Sequence, residues 1–299
     1  MATTSRSLDT QVGVTQAHSQ TRLPSELWLE IYEHLDAASM MQFSSCSKTV
    51  ASLTSQFERS ICKRRTAALE PKQSKLAILS SNKVDRSIIP ADTYGFIREL
   101  ELRHARIDYM LVRSGFLDLS APPGLRPLTC GQQLWHLVPL LKQALGYCDD
   151  IADIAATSTT GTSRPCPSVR SKQVAYIQGL TLEGVSCLLY LLIILSIGYI
   201  QQGQGPNGSI PIPPDNPIDW EIVTVFEEGI LRHGSWYLWA HIAASAVPGG
   251  RLEKLKRGLM AAGLKELTDW ETGKDRVAAY VRQWIPQGGY EVCVSAFSI

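Results

Sequence analysis

Few side chains in this sequence could do chemistry, and none of them stands in a recognised catalytic spacing. Gly203, Gly205 and Gly208 spell G-x-G-x-x-G, the spacing with which a backbone cradles a pyrophosphate at the start of a helix. Pro206 and the prolines after it keep this stretch from opening a helix, so the phosphate-binding geometry is excluded. We interpret the stretch as a flexible loop.

Acidic, histidine and cysteine side chains supply no further site. Asp149 and Asp150 are adjacent carboxylates that we expect to face solvent. His233 and His241 lie eight residues apart, too far for two ligands on one helical turn. The seven cysteines include no C-x-x-C pair, and Cys187 lies in an apolar run where burial makes a thiol inert. The sequence therefore predicts no catalytic residue, no cofactor and no metal.

Composition excludes two classes of protein. With 44% hydrophobic and 19% charged residues the chain is folded and globular rather than disordered. A net charge of +1 argues against a protein that binds nucleic acid by neutralising phosphates. The cysteine pattern and a first segment of 20 residues without an apolar run suit a reducing compartment, so we expect a cytoplasmic or nuclear location or both.

An aromatic-rich segment is the most distinctive part of the second half of the chain. It contains Trp236, Tyr237, Trp239 and His241. Two interpretations are open, because tryptophan and tyrosine dominate the hot spots of protein interfaces but also fill helical cores. We take the core as the default and keep a substrate-binding surface as the alternative.

The elements that would position a binding surface are clearest between Leu23 and Leu53. Proline suits the start of a helix, and Pro24 is followed by apolar side chains at four-residue spacing. The series is Leu23, Leu27, Ile31 and Leu35. Successive members turn by about 40°, so the series forms a face about 120° wide that either docks a partner or packs into a core.

Two further short helices follow this face. Ser39 is predicted to cap the second helix, and Ser47 is predicted to cap the third. Cys46 is predicted to be a small buried hydrophobe between them. Helices this short cannot bury a core of their own size alone, which favours contacts with another surface.

The stretch from residue 22 to 66 resembles an F-box. It has the Leu-Pro start, a Glu-Leu two residues later, a helix with Ile and Leu four apart, a short turn and a helix ending near Cys-Lys. The matching positions are Leu23, Pro24, Glu26, Leu27, Ile31, Leu35, Met40, Phe43, Cys46 and Lys48. The chain departs from the usual pattern between Ala37 and Ser39, where proline and Asp are common, and at Val50, where a bulky aromatic is common.

The resemblance implies a non-catalytic substrate receptor of a cullin-RING (SCF) ubiquitin ligase. The module would dock a Skp-type adaptor, and the rest of the chain would hold a protein substrate. The adaptor-binding residues that it implies are Leu23, Pro24, Leu27, Ile31, Leu35, Met40, Met41 and Phe43. No repeat array follows the module, so the sequence does not identify the substrate.

A run without charge from Val185 to Ile200 supports a rival interpretation, a membrane-anchored helical protein or scaffold with no role in ubiquitin transfer. Sixteen helical residues span about 24 Å, less than the roughly 30 Å of a bilayer core. An all-apolar helix is also what the centre of a large helical domain requires. We therefore favour a buried central helix over a membrane span.

The predicted fold is mainly α, with a three-helix module followed by a helical C-terminal domain. The expected divisions are a disordered tail (1–21), the F-box-like module (22–66), a basic linker or helix (67–87) and a helical, substrate-binding region (88–299).

Local patterns refine the prediction for the C-terminal region. A helix capped by Asp92 or Thr93 is expected to carry His104 on its packed face. Thr129 is expected to cap the next helix, whose apolar residues include Leu134 and Trp135 and which Pro139 interrupts. Two further expectations are a weak i,i+4 pair between Glu228 and Arg232, and a short strand or extended end at Glu291 to Ile299.

Overall fold

A computed structural model describes residues 23–68, 75, 77–81, 87–113, 127–157, 167–203, 220–246, 250–268 and 277–282. In these ranges the chain is predominantly helical, which confirms the mainly α prediction. Contacts divide the chain into two compact units, Met1–Phe57 and Glu58–Ile299.

The first unit is built from α1 (Ser25–His34), α2 (Ala37–Ser45) and the beginning of α3 (Lys48–Ala68). Pro24 occupies the N-cap of α1. The predicted cap of α2 was wrong: Asp36, not Ser39, holds that position, and its Oδ1 accepts a hydrogen bond from the Ser39 backbone N–H at 2.7 Å. A carboxylate caps a helix at least as well as a hydroxyl, so α2 starts earlier than predicted.

The core of the first unit is small and partly aromatic. The rings of Trp28 and Tyr32 each contact Phe43, with centroids 5.4 and 5.6 Å apart. The Tyr32 side chain is buried, and its hydroxyl accepts a hydrogen bond from Thr54 Oγ1 at 2.5 Å. Cys46 is exposed rather than buried, because it follows the last residue of α2 and its thiol donates to the Gln42 carbonyl.

The second unit contains a short hairpin where the sequence predicted a linker or helix. Strands β1 (Ala77–Leu79) and β2 (Ile88–Pro90) pair antiparallel, with Ile78 opposite Ile89. Three residues in each strand are too few to show an alternating pattern, so the strands were missed. Leu79 is buried, and its backbone N–H donates to Asp153 Oδ1 at 2.9 Å, which ties the hairpin to the helices.

α4 (Tyr94–Asp108) starts after Thr93, whose hydroxyl accepts a hydrogen bond from the Phe96 backbone N–H at 3.2 Å. A π-helical turn, Tyr109–Arg113, continues it. His104 is exposed and not packed as predicted, because it lines an open groove beside α4.

Thr129 caps α5 (Cys130–Gln132) in a capping box with Gln132, as predicted. A π-helical turn, Gln133–Leu137, then leads into α6 (Val138–Asp153), so the interruption expected at Pro139 is a change of helix type just before it. Leu134 and Trp135 are exposed, contrary to the prediction, because the wider π turn changes the angular spacing of its side chains.

The remaining helices are α7 (Pro167–Gln178), α8 (Leu182–Gly203), α9 (Trp220–His233), α10 (Ser235–Ala246), α11 (Arg251–Thr268) and α12 (Val277–Arg282). α8 contacts α6, α9 and α12, and the side chains from Cys187 to Leu192 are fully buried. The predicted central helix is therefore buried in the core of this unit.

Three predictions fall outside the described residues. They concern the tail at 1–21, the glycine-rich loop after Gly203 and the strand at Glu291 to Ile299.

Candidate functional site

The outward side of α1 and α2 carries large aliphatic side chains that remain in contact with solvent. The exposed fractions are 41% for Leu23, 45% for Leu27, 37% for Ile31 and 47% for Met41. Pro24 is exposed as well. We call these five residues the docking face. Exposed apolar side chains that recur along one face of a helix mark an interaction surface more often than isolated ones do.

α1 is apolar on two sides, which explains why the four-residue series points outward. At about 100° per residue, Trp28 and Tyr32 lie roughly 100° and 140° around the helix from Leu27. These two aromatic side chains supply the inward contacts, with Tyr32 buried and Trp28 packed against Phe43. Trp28 and Tyr32 are themselves four residues apart, and this second periodicity was the signal in the sequence that separated the core face from the docking face.

Three of the predicted adaptor-binding residues are less accessible than the docking face. Met40 is fully buried in the first unit, so this residue supports the surface from beneath and does not present its side chain to a partner. Leu35 and Phe43 are half-buried. Neighbours in the sequence differ here because Met40 and Met41 lie about 100° apart on α2.

The structure buries most of the predicted substrate-binding cluster in the core. Trp236, Tyr237 and His241 have exposed fractions of 5%, 1% and 3%. His241 packs edge-on against the rings of Phe226 and Tyr237, and burial lowers its pKa to about 3. Trp239 is half-buried beneath the Arg106 guanidinium, 5.6 Å from its ring centroid. These side chains hold α9 and α10 together and do not form the predicted surface.

Buried charges in the second unit were missed by the sequence analysis. The Arg103 guanidinium donates to both oxygens of Asp153 at 2.7 and 2.8 Å, and to the Leu79 carbonyl at 2.8 Å. Glu99 accepts from Arg103 and from Ser81, and Lys75 contacts Asp153 at 2.7 Å. Burial alone would raise the pKa of Asp153, but its bonds to Arg103 hold that pKa below its ordinary value.

Asp149 is buried, not solvent-facing as predicted. Its two oxygens accept hydrogen bonds from the backbone N–H and hydroxyl of Ser235, at 2.7 and 2.8 Å. The carboxylate thereby caps α10 from another helix. Gly234 adopts a φ of +69°, and a Cβ there would lie 2.2 Å from Asp149 Oδ1. Burial raises the pKa of Asp149, because no guanidinium or ammonium touches it in the described chain.

A second buried cluster surrounds the predicted pair of Glu228 and Arg232. That pair is present, with Arg232 Nε 3.1 Å from Glu228 Oε1. Arg170 Nη1 reaches the same oxygen at 3.0 Å, and the Ala278 backbone N–H donates to Glu228 Oε2 at 3.0 Å. Glu228 thus connects α7, α9 and α12, a larger structural role than the weak surface pair that was predicted.

The apolar helix α8 passes a test of length and composition for crossing a membrane. Residues Leu182–Ile200 have a mean hydropathy of 2.0, and the whole helix of 22 residues is about 33 Å long. The predicted shortfall in length is therefore wrong. Within the structure, however, 72% of the segment is buried against other parts of the chain, as in the core helix of a globular domain.

No group of three or more potential metal-ligating side chains occurs among the residues that the structure describes.

Comparison with known proteins assigns the N-terminal helices. The family model of the F-box domain matches residues 21–63, which confirms the resemblance seen in the sequence; the C-terminal region matches no family. No curated protein and no solved structure matches the chain. An F-box domain implies a role in docking to the adaptor of an SCF ubiquitin ligase.

Proposed function

We propose that this F-box chain is a substrate receptor, which docks a Skp-type adaptor through the docking face and recruits a protein substrate through its C-terminal helical region. F-box domains bind Skp-type adaptors in cullin-RING ligases, and proteins that carry them are typically non-catalytic. The receptor would perform no chemistry. Holding the substrate beside the ubiquitin-loaded partner raises its effective concentration, which is enough to accelerate transfer.

One observation carries the docking half of this proposal, the exposure of Leu23, Leu27, Ile31 and Met41 on one unit of the chain. Transfer of an aliphatic side chain from water into an interface contributes roughly 1.5 to 3 kcal/mol. Four such side chains therefore provide enough apolar surface for specific binding, provided that a partner covers them together. The buried aromatic side chains of α1 hold this surface in place without being part of it.

The test is a double substitution, Leu27→Asp with Ile31→Asp. Losing two buried aliphatic contacts should weaken adaptor binding by about 3 kcal/mol or more, which is over a hundredfold in affinity. The measurement is a titration of the purified chain with the Skp-type adaptor by isothermal calorimetry, beside co-purification from cells.

A matched control is Ser52→Asp with Gln56→Asp. It introduces the same charge at the same four-residue spacing on the exposed side of α3, away from the docking face. We expect this variant to bind the adaptor like the parent chain. Full adaptor binding by the Leu27 and Ile31 variant would contradict the assigned docking face.

The proposed location is the cytoplasm, the nucleus or both. The hydropathy of Leu182–Ile200 supports a second candidate, a membrane-anchored protein without a ubiquitin-ligase role. Carbonate extraction of a membrane fraction distinguishes the two: release of the chain into the soluble phase rules out the anchor, and retention supports it.

A further inference from the structure

A groove of about 680 Å³ lies between α4 and α6 in the second unit. Its volume is within the roughly 300–1,000 Å³ of sites that bind small molecules. Phe96, Leu100 and Ile107 from α4 contribute apolar surface, and Asp149 and Asp150 from α6 contribute carboxylates. We call it the α4–α6 groove.

Gly146 keeps the α4–α6 groove open. It lies inside α6, and no atom of the chain comes within 4 Å of the position that its Cβ would take. Its φ is ordinary, so neither the backbone nor a neighbouring side chain requires glycine here. Glycine destabilises a helix interior relative to alanine. The absent side chain has no use in packing, whereas it does leave room for a ligand.

The donors around the groove are already occupied, which disfavours an anionic ligand. Arg103 uses its guanidinium nitrogens on Asp153, Glu99 and the Leu79 carbonyl. Lys142, at the rim, forms an ion pair with Asp108. An incoming carboxylate or phosphate would have to break these contacts.

The carboxylates are less fully compensated. Asp150 contacts Lys75, but Asp149 accepts only the two hydrogen bonds from Ser235 and forms no ion pair within 4 Å among the described residues. A carboxylate can accept about four hydrogen bonds, so acceptor capacity remains on Asp149. An apolar surface next to an uncompensated carboxylate matches an aliphatic chain that ends in a cation.

We propose that the α4–α6 groove binds a lysine or arginine side chain of the substrate, with the aliphatic stem on the α4 side and the cationic head toward Asp149. The proposal rests on the proposed function, since it names the part of the C-terminal region that holds the substrate and the chemistry it selects. A basic residue in the substrate is therefore a determinant of recruitment.

The direct test uses three small probes with the full chain: the Nα-acetyl amides of lysine, norleucine and glutamate. Ligand-observed saturation-transfer NMR measures their binding. The lysine probe should bind about tenfold more tightly than norleucine, as expected for one added hydrogen bond to a charged group. The glutamate probe should show no saturation transfer. Equal binding of the lysine and glutamate probes would overturn the proposal.

A pair of glycine variants tests the location. Gly146→Phe fills the groove and should abolish binding of the lysine probe. Gly258→Phe is the matched control, because Gly258 is also a helical glycine with no atom within 4 Å of its Cβ position, but it lies on the exposed side of α11. The control should keep the parent affinity. Lysine binding that survives in a folded Gly146→Phe variant would exclude the groove.

A charge variant and an adaptor titration complete the design. Asp149→Asn should weaken lysine binding about tenfold and leave norleucine unchanged; should that variant fail to fold, Gly146→Phe decides alone. Gly146→Phe should bind the adaptor normally. Lysine binding by a parent chain that binds no adaptor would refute the proposed function and support the groove, and adaptor binding without lysine binding would do the reverse.

Discussion

The two units of this chain treat solvent in opposite ways. The first unit leaves Leu23, Leu27 and Ile31 in water and keeps only a small core. The second unit buries charged side chains such as Arg103 and Asp153, which need precise partners once they are out of water. The first unit therefore presents a surface that is complete only when another molecule covers it, whereas the second satisfies its polar groups internally.

This difference separates two kinds of information about function. The docking face consists of side chains close in sequence, so its pattern could be compared with a known domain. The buried charges and the α4–α6 groove depend on contacts between residues far apart in the chain. Four predictions, in order of decreasing effect, can break or sharpen the contrast.

The largest effect is expected for Arg103→Met in the second unit. It leaves Asp153 and Glu99 buried with less compensation, and removing one partner of a buried ion pair destabilises by about 3–5 kcal/mol. Urea unfolding followed by circular dichroism measures the change. The control is Arg98→Met on the exposed side of the same helix, expected within about 0.5 kcal/mol of the parent. Similar losses for both variants would show that the buried network is unimportant.

Gly234→Ala should cost about 3 kcal/mol. The left-handed conformation is strained by roughly 1–2 kcal/mol for a residue with a Cβ, and the Asp149 carboxylate would be displaced from Ser235. The same unfolding experiment applies, with Gly258→Ala as a control that should not lose stability. Parent-like stability of Gly234→Ala would refute the role of this turn in joining Asp149 to α10.

Lowering the pH should weaken the second unit through His241. Its pKa is about 3 in the folded chain and 6.5 as an ordinary histidine. The unfolded chain therefore binds an additional proton between these values, so stability is complete above about pH 6.5 and falls as the pH decreases. The loss at pH 5 is about 2 kcal/mol.

His241→Phe tests this dependence, because phenylalanine keeps the aromatic packing and cannot titrate. The difference in unfolding free energy between pH 7 and pH 5 should be smaller in the variant by that amount. An unchanged difference would mean that His241 is accessible to protons in the folded chain.

The smallest effect on stability is expected in the first unit. Leu27→Asp with Ile31→Asp should change the unfolding free energy by no more than about 0.5 kcal/mol, because both side chains are already exposed. Thermal unfolding of the free chain measures this. A loss of several kcal/mol would place these side chains in a core and remove the contrast between the units.

Much of the fold could be predicted from local patterns. Thr93 and Thr129 identified helix starts correctly, and the apolar run from Val185 to Ile200 identified the central helix, because caps and periodicity act over a few residues. Asp149 could not be placed, since its partner Ser235 is 86 residues away and nothing local distinguishes a capping carboxylate from a solvated one.

The candidate sites were predictable to different degrees for the same reason. Leu27 and Ile31 were identified from spacing alone, but Met40 was misplaced because burial within a short helix depends on how its neighbours pack. The aromatic cluster around Tyr237 was kept open as a surface or a core, and only tertiary contacts resolved it. Gly146 gave no signal, because an open space above a helix is not encoded by the helix itself.

The burial of α8 also has a consequence for synthesis on the ribosome. α6 precedes α8 in the chain, but α9 and α12, which cover it further, are translated afterwards. For that interval the nascent chain displays a greasy segment of 19 residues with incomplete cover, the kind of surface that chaperones and targeting factors bind. A transcript truncated between Gly203 and Trp220 would make this exposure permanent and turn a core helix into an aggregation hazard.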